Sequence, residues 1–233
     1  MRIEVLDKGF VELVEMMGDD YSAVQAARTS YGKGLTNPER DMQLIYYLME
    51  NGHHSPFEHI VFKLHIKLPI FVMRQLARHR IASINERSGR YTKFKEEWFL
   101  PEMVRIQDSE NRQGSIPTDD RDLNLEALGL IKESLENSFD VYSKLMDMGV
   151  AREIARIVLP TSMYTEIYWT INLRSLMNFL DQRADSHAQY EIQQYALALA
   201  RIFDEKCPVT YRAYLRYCYV GDLLDGGVAN EAF

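Results

Sequence analysis

The stretch from Ile60 to Leu68 alternates between apolar and polar side chains, with Val61 as the single exception. Every second residue is apolar, and Lys63, His65 and Lys67 lie between them. A period of two residues is that of a β-strand with one buried and one solvent-facing side. Residues 163–171 alternate in a similar way. We therefore predict two major strands of a mostly antiparallel sheet, because antiparallel sheets commonly keep one face in water.

Other stretches predict one further strand and several helices. Residues 1–5 place Ile3 and Val5 among polar residues, which predicts a strand. The predicted helices are 9–17, 20–30 with Asp19 or Asp20 as its cap, Asn37-Pro38 to Gly52, one from Pro69, Leu123 to Met148 closed by Gly149, Tyr190 to Cys207-Pro208, and a last one to about Tyr219. The polar residues 107–122 predict a mobile excursion without catalytic residues.

The chain shows no repeat, linker or compositional break. Its 233 residues, 46% of them hydrophobic, are enough for one large domain with a core. We therefore predict a single α+β domain over residues 1–233, with a mostly antiparallel sheet and several long helices.

Composition also restricts location and partners. No run of about 18 apolar residues exists, so no membrane span is expected. Charges near the N-terminus do not suit a signal peptide, and Cys207 and Cys218 are too few and too far apart for a metal knuckle or redox pair. These features favour the cytoplasm. A net charge of -7 argues against general nucleic-acid binding.

The segment from Arg78 to Tyr91 is a local positive island on this acidic chain. It contains four arginines, one histidine, two serines, one asparagine and a single acid, Glu86. Forked guanidinium groups together with Ser and Asn donors suit a small anion such as a phosphate. The ordinary alternative is a solvated or ion-paired surface. Ser83, Asn85, Ser88 and Gly89 favour a loop, and loops that carry polar groups commonly hold ligands.

A second polar constellation follows the strand predicted at 163–171. Asn172, Arg174, Asn178, Arg183 and His187 cannot all face an apolar core without partners. Arg174 and Asn178 are four residues apart, as are Arg183 and His187 if the helix continues, so each pair would share a helical face.

Residues 52–59, G-H-H-S-P-F-E-H, contain three histidines. They raise the possibility of a metal site, but His53, His54 and His59 have neither helical i,i+4 spacing nor a cysteine partner. We therefore expect no metal. An ordinary turn at Ser55-Pro56 is the other alternative.

These motifs together resemble the flavin-dependent thymidylate synthases. The pattern R-H-R-x-x-S-x-N-x-x-S-x-R-Y is matched at all eight fixed positions: Arg78, His79, Arg80, Ser83, Asn85, Ser88, Arg90 and Tyr91. Residues 52–59 resemble the family's G-H-x-S/T-P-x-E-H loop, Arg156 with I-V-L-P resembles a nucleotide-binding arginine, and residues 172–187 resemble its C-terminal motif. The likeness covers nearly the whole chain.

The resemblance implies roles for individual residues. The implied FAD contacts are Ser55, Arg78, His79, Arg80, Glu86, Asn172, Arg174 and Asn178, and the residues near the flavin are His53, Asn85, Tyr91 and His187. The implied dUMP contacts are Gln75, Arg78, Glu86, Arg87, Ser88, Gly89, Arg90, Arg156 and Arg183. Gln75 and Arg78, three apart, would share a helical face. Arg183 would also be catalytic, because a cation at the uracil can stabilise negative charge on N3 and O4.

The implied reaction is reductive methylation of dUMP to dTMP. Methylenetetrahydrofolate would supply the carbon, NADPH the electrons, and FAD would carry the hydride in a site without a Rossmann fingerprint. The resemblance further implies a homotetramer with active sites between subunits. We expect no cysteine nucleophile, because Cys207 ends an apolar helix, where a thiol's pKa is raised, and Cys218 lies between two tyrosines.

Two other classes of protein remain open from the residues alone. One is an RNA-binding module that stacks bases on Tyr91 and Phe94. The other is a structural oligomer whose arginines pair with acids across interfaces.

Overall fold

A five-stranded antiparallel sheet organises the chain. The computed structural model describes residues 1–32, 34–109, 111–112 and 114–224. The strands of the main sheet are β1 (Arg2–Val5), β2 (Gly9–Met17), β3 (Val61–Pro69), β4 (Ala82–Glu86) and β7 (Tyr164–Asn172). Their spatial order is β1-β2-β3-β7-β4, and a separate two-stranded sheet contains β5 (Arg105–Gln107) and β6 (Ser115–Pro117).

The two alternating stretches form the centre of this sheet, as predicted. β3 and β7 pair over nine residues, with Leu64 opposite Trp169 and Ile66 opposite Ile167. These four side chains are at most 1% exposed. Between them on each strand lie residues of the other face, among them His65, which stacks on Tyr168 with ring centroids 4.9 Å apart. One face of the sheet is therefore apolar and the other polar.

The prediction of a helix at residues 9–17 is wrong, because these residues form β2. This strand pairs with both β1 and β3, and its register to β3 shifts between Leu13 and Glu15. A bulge inserts one extra residue and moves the following side chains to the opposite face. The shift hides the alternation, and Glu12 and Glu15, three residues apart, then resemble a helical face.

The segment from Arg78 to Tyr91 is not a loop throughout. Residues 82–86 form the edge strand β4, whose Ser83 and Asn85 lie opposite Thr170 and Tyr168. Ser and Asn are poor predictors of a strand, but β7 offers a free edge, and its backbone groups need partners. The turn after β4 starts where Arg87 N donates to Glu166 O.

The described residues contain eight α-helices and three short 3-10 helices. The α-helices are α1 (Asp20–Arg28), α2 (Pro38–Glu50), α3 (Ile70–Leu76), α4 (Arg121–Asp147), α5 (Arg152–Ala155), α6 (Leu173–Arg183), α7 (Tyr190–Lys206) and α8 (Pro208–Tyr217). The 3-10 helices are Thr29–Tyr31, Ser55–His59 and Arg156–Val158. Every helix predicted beyond residue 19 is present, and Asp19 caps α1, accepting from Ser22 N.

Three details of the helix predictions are corrected. α3 ends at Leu76, so Arg78 does not share a helical face with Gln75. α6 ends at Arg183, and the backbone of Ala184 leaves the helical region, so His187 does not continue that helix. The four-residue spacing of Arg152 and Arg156 predicts a shared face on one helix, but α5 has only four residues, and Arg156 opens a 3-10 turn after it.

The polar stretch 107–122 contains more structure than predicted. Arg105–Gln107 pairs with Ser115–Pro117 as a short hairpin, and α4 then begins at Arg121, capped by Asp120. Residues 110 and 113 of this stretch lie outside the described residues.

The apolar face of the sheet packs against α3, α6 and α7. Trp169 contacts Phe179 of α6, with ring centroids 5.4 Å apart, and Tyr195 of α7 donates to Lys67 O of β3 at 2.7 Å. α7 contributes nine buried residues, including Phe203. This packing supports the predicted single α+β domain. Within the described residues, no helix is long and apolar enough to cross a lipid bilayer.

A carboxylate from α1 caps the N-terminus of α8. Asp20, 8% exposed, accepts from the backbone N–H groups of Val209 at 3.0 Å and Thr210 at 2.8 Å. Cys207, which precedes α8, provides no side-chain cap. Asp20 therefore satisfies two of the donors that a helix N-terminus leaves unpaired.

We predict that Asp20→Ala lowers the free energy of unfolding by about 2–4 kcal/mol, because it leaves two buried N–H groups without an acceptor. Denaturant unfolding followed by circular dichroism measures the change. Asp140→Ala removes the same charge from an exposed position on α4 and serves as the control. Equal losses in the two variants would show that the cap contributes nothing.

Candidate active site

Buried His79 and half-buried Arg183 form a hydrogen-bonded pair within the predicted site. Arg183, the last residue of α6, donates its Nε–H to His79 Nε2 at 3.2 Å. The His79 ring is 8% exposed and lies edge-on to Phe179, at 4.8 Å between centroids. Because arginine only donates, Nε2 of His79 must be unprotonated, and the ring proton of the neutral form is on Nδ1.

Both groups have perturbed acidity. Burial, followed by the positive charge of Arg183, lowers the pKa of His79 to about 4. Burial also lowers the pKa of the Arg183 guanidinium. His79 is therefore neutral at pH 7. In the described part of the chain, no carboxylate forms an ion pair with Arg183.

Gln75, near the end of α3, precedes His79 by four residues. Its Nε2 donates to Gln189 Oε1 at 2.6 Å, and Gln189 in turn donates to Glu191 Oε2 at 2.7 Å. We call Gln75, His79 and Arg183 the histidine cluster. Gln189 and Glu191 were missed in the sequence, because a Gln and a Glu at the start of a helix are ordinary there.

A second group, the serine cluster, lies beyond the end of β4. Ser88 Oγ accepts from Arg90 N at 3.2 Å, and Arg90 pairs with Glu153 at 3.1 Å. Arg156 approaches Gly89, where a β-carbon would overlap the Phe94 ring. A glycine is thus required for this close packing. The serine cluster consists of Ser88, Gly89, Arg90 and Arg156.

A shallow depression lies next to the serine cluster. It measures about 200 Å³ and is lined by Arg90, Tyr91, Ala151, Arg152 and Glu153. Arg152 donates to Tyr91 O at 2.7 Å, so α5 is fixed to the turn that carries Arg90. Tyr91 itself is 75% exposed.

Glu86 and Arg87 link this region to β7. Glu86 Oε1 accepts from Thr165 Oγ1 at 2.9 Å. Arg87 contacts Thr92 Oγ1 at 3.2 Å and lies 3.6 Å from the Glu166 carboxylate. Glu86 and Arg87, both predicted to bind a ligand, therefore hold the turn after β4 in place through contacts with other described residues.

The third group, the asparagine cluster, consists of Ser55, Asn172, Arg174 and Asn178. Asn172 caps α6 by accepting from Ser175 N at 2.8 Å, which uses one side of its amide. Arg174 pairs with Glu58 of the 3-10 helix that Ser55 opens. Asn178 lies one turn after Arg174 on the same face of α6, as predicted, and is exposed.

The remaining predicted flavin neighbours are at the surface. His53 contacts Tyr47 edge-on, at 6.1 Å between centroids. His187 pairs with Asp185 at 2.9 Å, with 79% of its side chain exposed. Asn85 is exposed on β4.

Two arginines of the motif are exposed without partners. Among the described residues, the side chains of Arg78 and Arg80 form no hydrogen bond and no ion pair, although the neighbouring His79 is buried. Solvated arginines on an acidic protein are available to an anionic ligand.

The three clusters are not joined within one chain. Across the described ranges, no side-chain hydrogen bond or ion pair links the histidine, serine and asparagine clusters to one another. Glu86, the last residue of β4, pairs with Ile167 on β7. Asn172 lies five residues further along β7, a distance of about 17 Å. The serine and asparagine clusters thus lie toward opposite ends of the sheet.

Both cysteine thiols have a pKa above the ordinary value. Burial, with smaller contributions from Asp20 and Asp19, raises the pKa of the Cys207 thiol. Burial and the charge of Asp181 raise the pKa of Cys218. The nearest imidazole is that of His54, with Nε2 3.6 Å from the Cys218 sulfur, and burial lowers its pKa, so His54 carries little positive charge that would favour a thiolate.

Comparisons with known proteins identify the family. Residues 12–209 match the Thy1 family, described as "thymidylate synthase complementing protein". A flavin-dependent thymidylate synthase of Kosmotoga olearia is 71% identical over 224 residues, covering 96% of this chain and 97% of its own. One from Thermus thermophilus is 48% identical, covering 96% of this chain and 82% of its own.

A solved structure agrees with these relatives. The UMP/dUMP methylase PolB of Streptomyces cacaoi, bound with 5-Br dUMP, superposes with a TM-score of 0.83 at 34% identity. The match covers 94% of this chain and all of that one. The chain therefore belongs to the Thy1 family, the flavin-dependent thymidylate synthases, and the resemblance found in its motifs is confirmed.

We predict that the stability cost of His79→Gln depends on pH. The histidine pKa is about 6.5 in the unfolded chain and about 4 in the folded one, so the wild type loses stability as pH falls between these values. Glutamine does not titrate. The destabilisation caused by the substitution should therefore shrink by about 2 kcal/mol between pH 7.5 and pH 5.

Denaturant unfolding of both proteins at the two pH values measures this difference. A cost that is the same at both values would mean that His79 titrates alike in the folded and unfolded chains.

Proposed function

We propose that this protein methylates dUMP to dTMP, with methylenetetrahydrofolate as carbon donor, NADPH as reductant and FAD as bound cofactor. The observation that carries the proposal is Arg183, a half-buried guanidinium with a neutral histidine beside it and no acidic partner in the described chain. A buried charge without a counter-charge is costly, and an anionic ligand relieves that cost.

Uracil fits this requirement during the reaction. C5 must become nucleophilic, and negative charge then develops on N3 and O4. Arg183 would stabilise that charge with its two N–H₂ groups, which have no hydrogen-bond partner among the described residues, while His79 accepts from the Nε–H. Because His79 is neutral, it accepts from Arg183 without adding a second positive charge.

The overall step conserves atoms and electrons. C5 of uracil gains one carbon and loses its proton. NADPH supplies the two electrons that reduce the transferred carbon to a methyl group, so the folate leaves as tetrahydrofolate. FAD, when bound, supplies the hydride transfer between the two.

The serine cluster suits the nucleotide phosphate. Arg90 and Arg156 provide guanidinium groups, and Ser88 and the Gly89 backbone provide smaller donors. Glu153 competes for Arg90 until a phosphate binds. Gln75 and Arg78 would complete the contacts to base and ribose, with Glu86 and Arg87 holding the turn.

The unpartnered arginines and the asparagine cluster suit FAD. Arg78 and Arg80 present uncompensated positive charge, which fits a diphosphate. The free side of the Asn172 amide, exposed Asn178, Arg174 and Ser55 offer donors and acceptors near the 52–59 turn. We assign His53, Asn85, Tyr91 and His187 to the surroundings of the flavin, because they are accessible at the surface; for His187, 79% of the side chain is exposed.

We infer that complete sites form between subunits of a homotetramer. The serine and asparagine clusters lie toward opposite ends of one sheet, and no side-chain hydrogen bond or ion pair in the described ranges joins them to the histidine cluster. In an oligomer, a cluster of one subunit would lie next to a different cluster of the neighbouring subunit. The exposed edge residues Ile81 and Tyr91, each 75% exposed, would then be covered.

The mechanism needs no cysteine nucleophile. Attack on C6 of uracil requires a thiolate, and burial raises the pKa of both thiols in this chain. Cys207 is also 0% exposed, so it has no access to a substrate.

We predict that Arg183→Lys lowers kcat for dTMP formation by about ten- to a hundredfold, because an ammonium group cannot reproduce the planar fork opposite N3 and O4. Flavin content should stay near that of the wild type. Product formation from dUMP, followed by chromatography, measures the rate. The control is Arg212→Lys, an exposed arginine on α8. Wild-type turnover in Arg183→Lys would remove Arg183 from the mechanism.

A further inference from the structure

Gln75 is connected through Gln189 to an ion pair with a buried carboxylate. Glu191, in the first turn of α7, is 6% exposed and pairs with Arg105 at 3.2 Å. Its second carboxylate oxygen accepts from Gln189 Nε2 at 2.7 Å. Arg105 is fixed in turn, since it donates to Ser115 Oγ across the β5–β6 hairpin and lies over the Tyr190 ring at 4.5 Å.

This carboxylate determines how the neighbouring amides are oriented. An ionised carboxylate only accepts hydrogen bonds, so the NH₂ of Gln189 must face Glu191. The Gln189 carbonyl oxygen then faces away, where it accepts from Gln75 Nε2 at 2.6 Å. Gln75 therefore turns its own carbonyl oxygen away from Gln189. Without Glu191, both amides can flip, because the two ends of a carboxamide are similar in shape.

The orientation matters because Gln75 lies at the histidine cluster. Its carbonyl oxygen and second N–H have no hydrogen-bond partner in the part of the chain that the structure describes, so a ligand can use both. Only one amide orientation matches a given pattern of donors and acceptors. A site residue that is already oriented costs less free energy on binding than one that must be ordered.

We propose that Glu191, held by Arg105 and acting through Gln189, is a positioning residue that fixes the Gln75 amide for dUMP. The inference rests on the proposed function, which places Gln75 in the dUMP site. It also gives the β5–β6 hairpin, expected from sequence to be unrelated to catalysis, a supporting part in that site.

The test replaces the carboxylate by an amide of the same shape. Glu191→Gln removes the acceptor-only group, so it should raise the Kd for dUMP by about three- to tenfold, the order expected for one misdirected hydrogen bond. The KM for dUMP should rise by a similar factor. Bound flavin and kcat at saturating dUMP should change by less than about twofold, because no catalytic group is altered.

A double-mutant cycle separates positioning from general damage. In a Gln75→Ala background, Glu191→Gln should change the Kd for dUMP by less than about 1.5-fold, because no amide is left to orient. Titration calorimetry with dUMP measures all four proteins. Glu136→Gln, at an exposed ion pair on α4, is the matched control and should bind as the wild type does.

Three results would contradict either the positioning role of Glu191 or the proposed function. A Glu191→Gln variant that binds dUMP normally, or that loses affinity equally in both backgrounds, overturns the inference. If Glu191→Gln does not fold, Gln189→Met breaks the same relay at an exposed position, and the same comparison across backgrounds applies. A wild-type protein that does not bind dUMP would instead overturn the proposed function itself.

Discussion

The antiparallel pairing of β3 with β7 is the interaction on which the other features depend. It buries the apolar faces of both strands, including Leu64, Ile66 and Trp169, against α3, α6 and α7. Trp169 packs on Phe179, and Phe179 packs on His79. The hydrophobic core is thus in direct contact with the Arg183–His79 pair, and that pair has little freedom to move.

Arg183 is half-buried beside this core, whereas Arg78 and Arg80 are exposed. The chain carries a net charge of -7, yet Arg183, Arg78 and Arg80 have no acidic partner among the described residues. Some other arginines do pair with acids, as Arg28 does with Asp41 at 2.6 Å and Arg105 with Glu191. Arg78 and Arg80 belong to the R-H-R motif, whereas Arg183 comes from a segment over 100 residues later. An anionic ligand would complete their charge balance, whereas an RNA-binding surface would need a wider basic area.

Local patterns predicted the central strands, the long helices and the motif residues, because each has a clear period or a fixed spacing. β2 was missed because the bulge at Leu13 and Glu15 breaks its alternation, and β4 because Ser83 and Asn85 resemble a loop. Contacts between distant segments leave no local pattern. The Asp20 cap on α8 joins residues 190 positions apart, and the Arg105–Glu191 pair joins residues 86 apart. The separation of the three clusters likewise depends on the register between β4 and β7, and that register cannot be predicted from the spacing of the motif residues.

The central claim is that this protein reduces and transfers one carbon to dUMP with electrons from NADPH. The most direct measurement is the stoichiometry of products, made anaerobically with dUMP, methylenetetrahydrofolate and NADPH. We expect one dTMP and one tetrahydrofolate for each NADPH consumed. Formation of dTMP with dihydrofolate as the other product and no consumption of NADPH would contradict it.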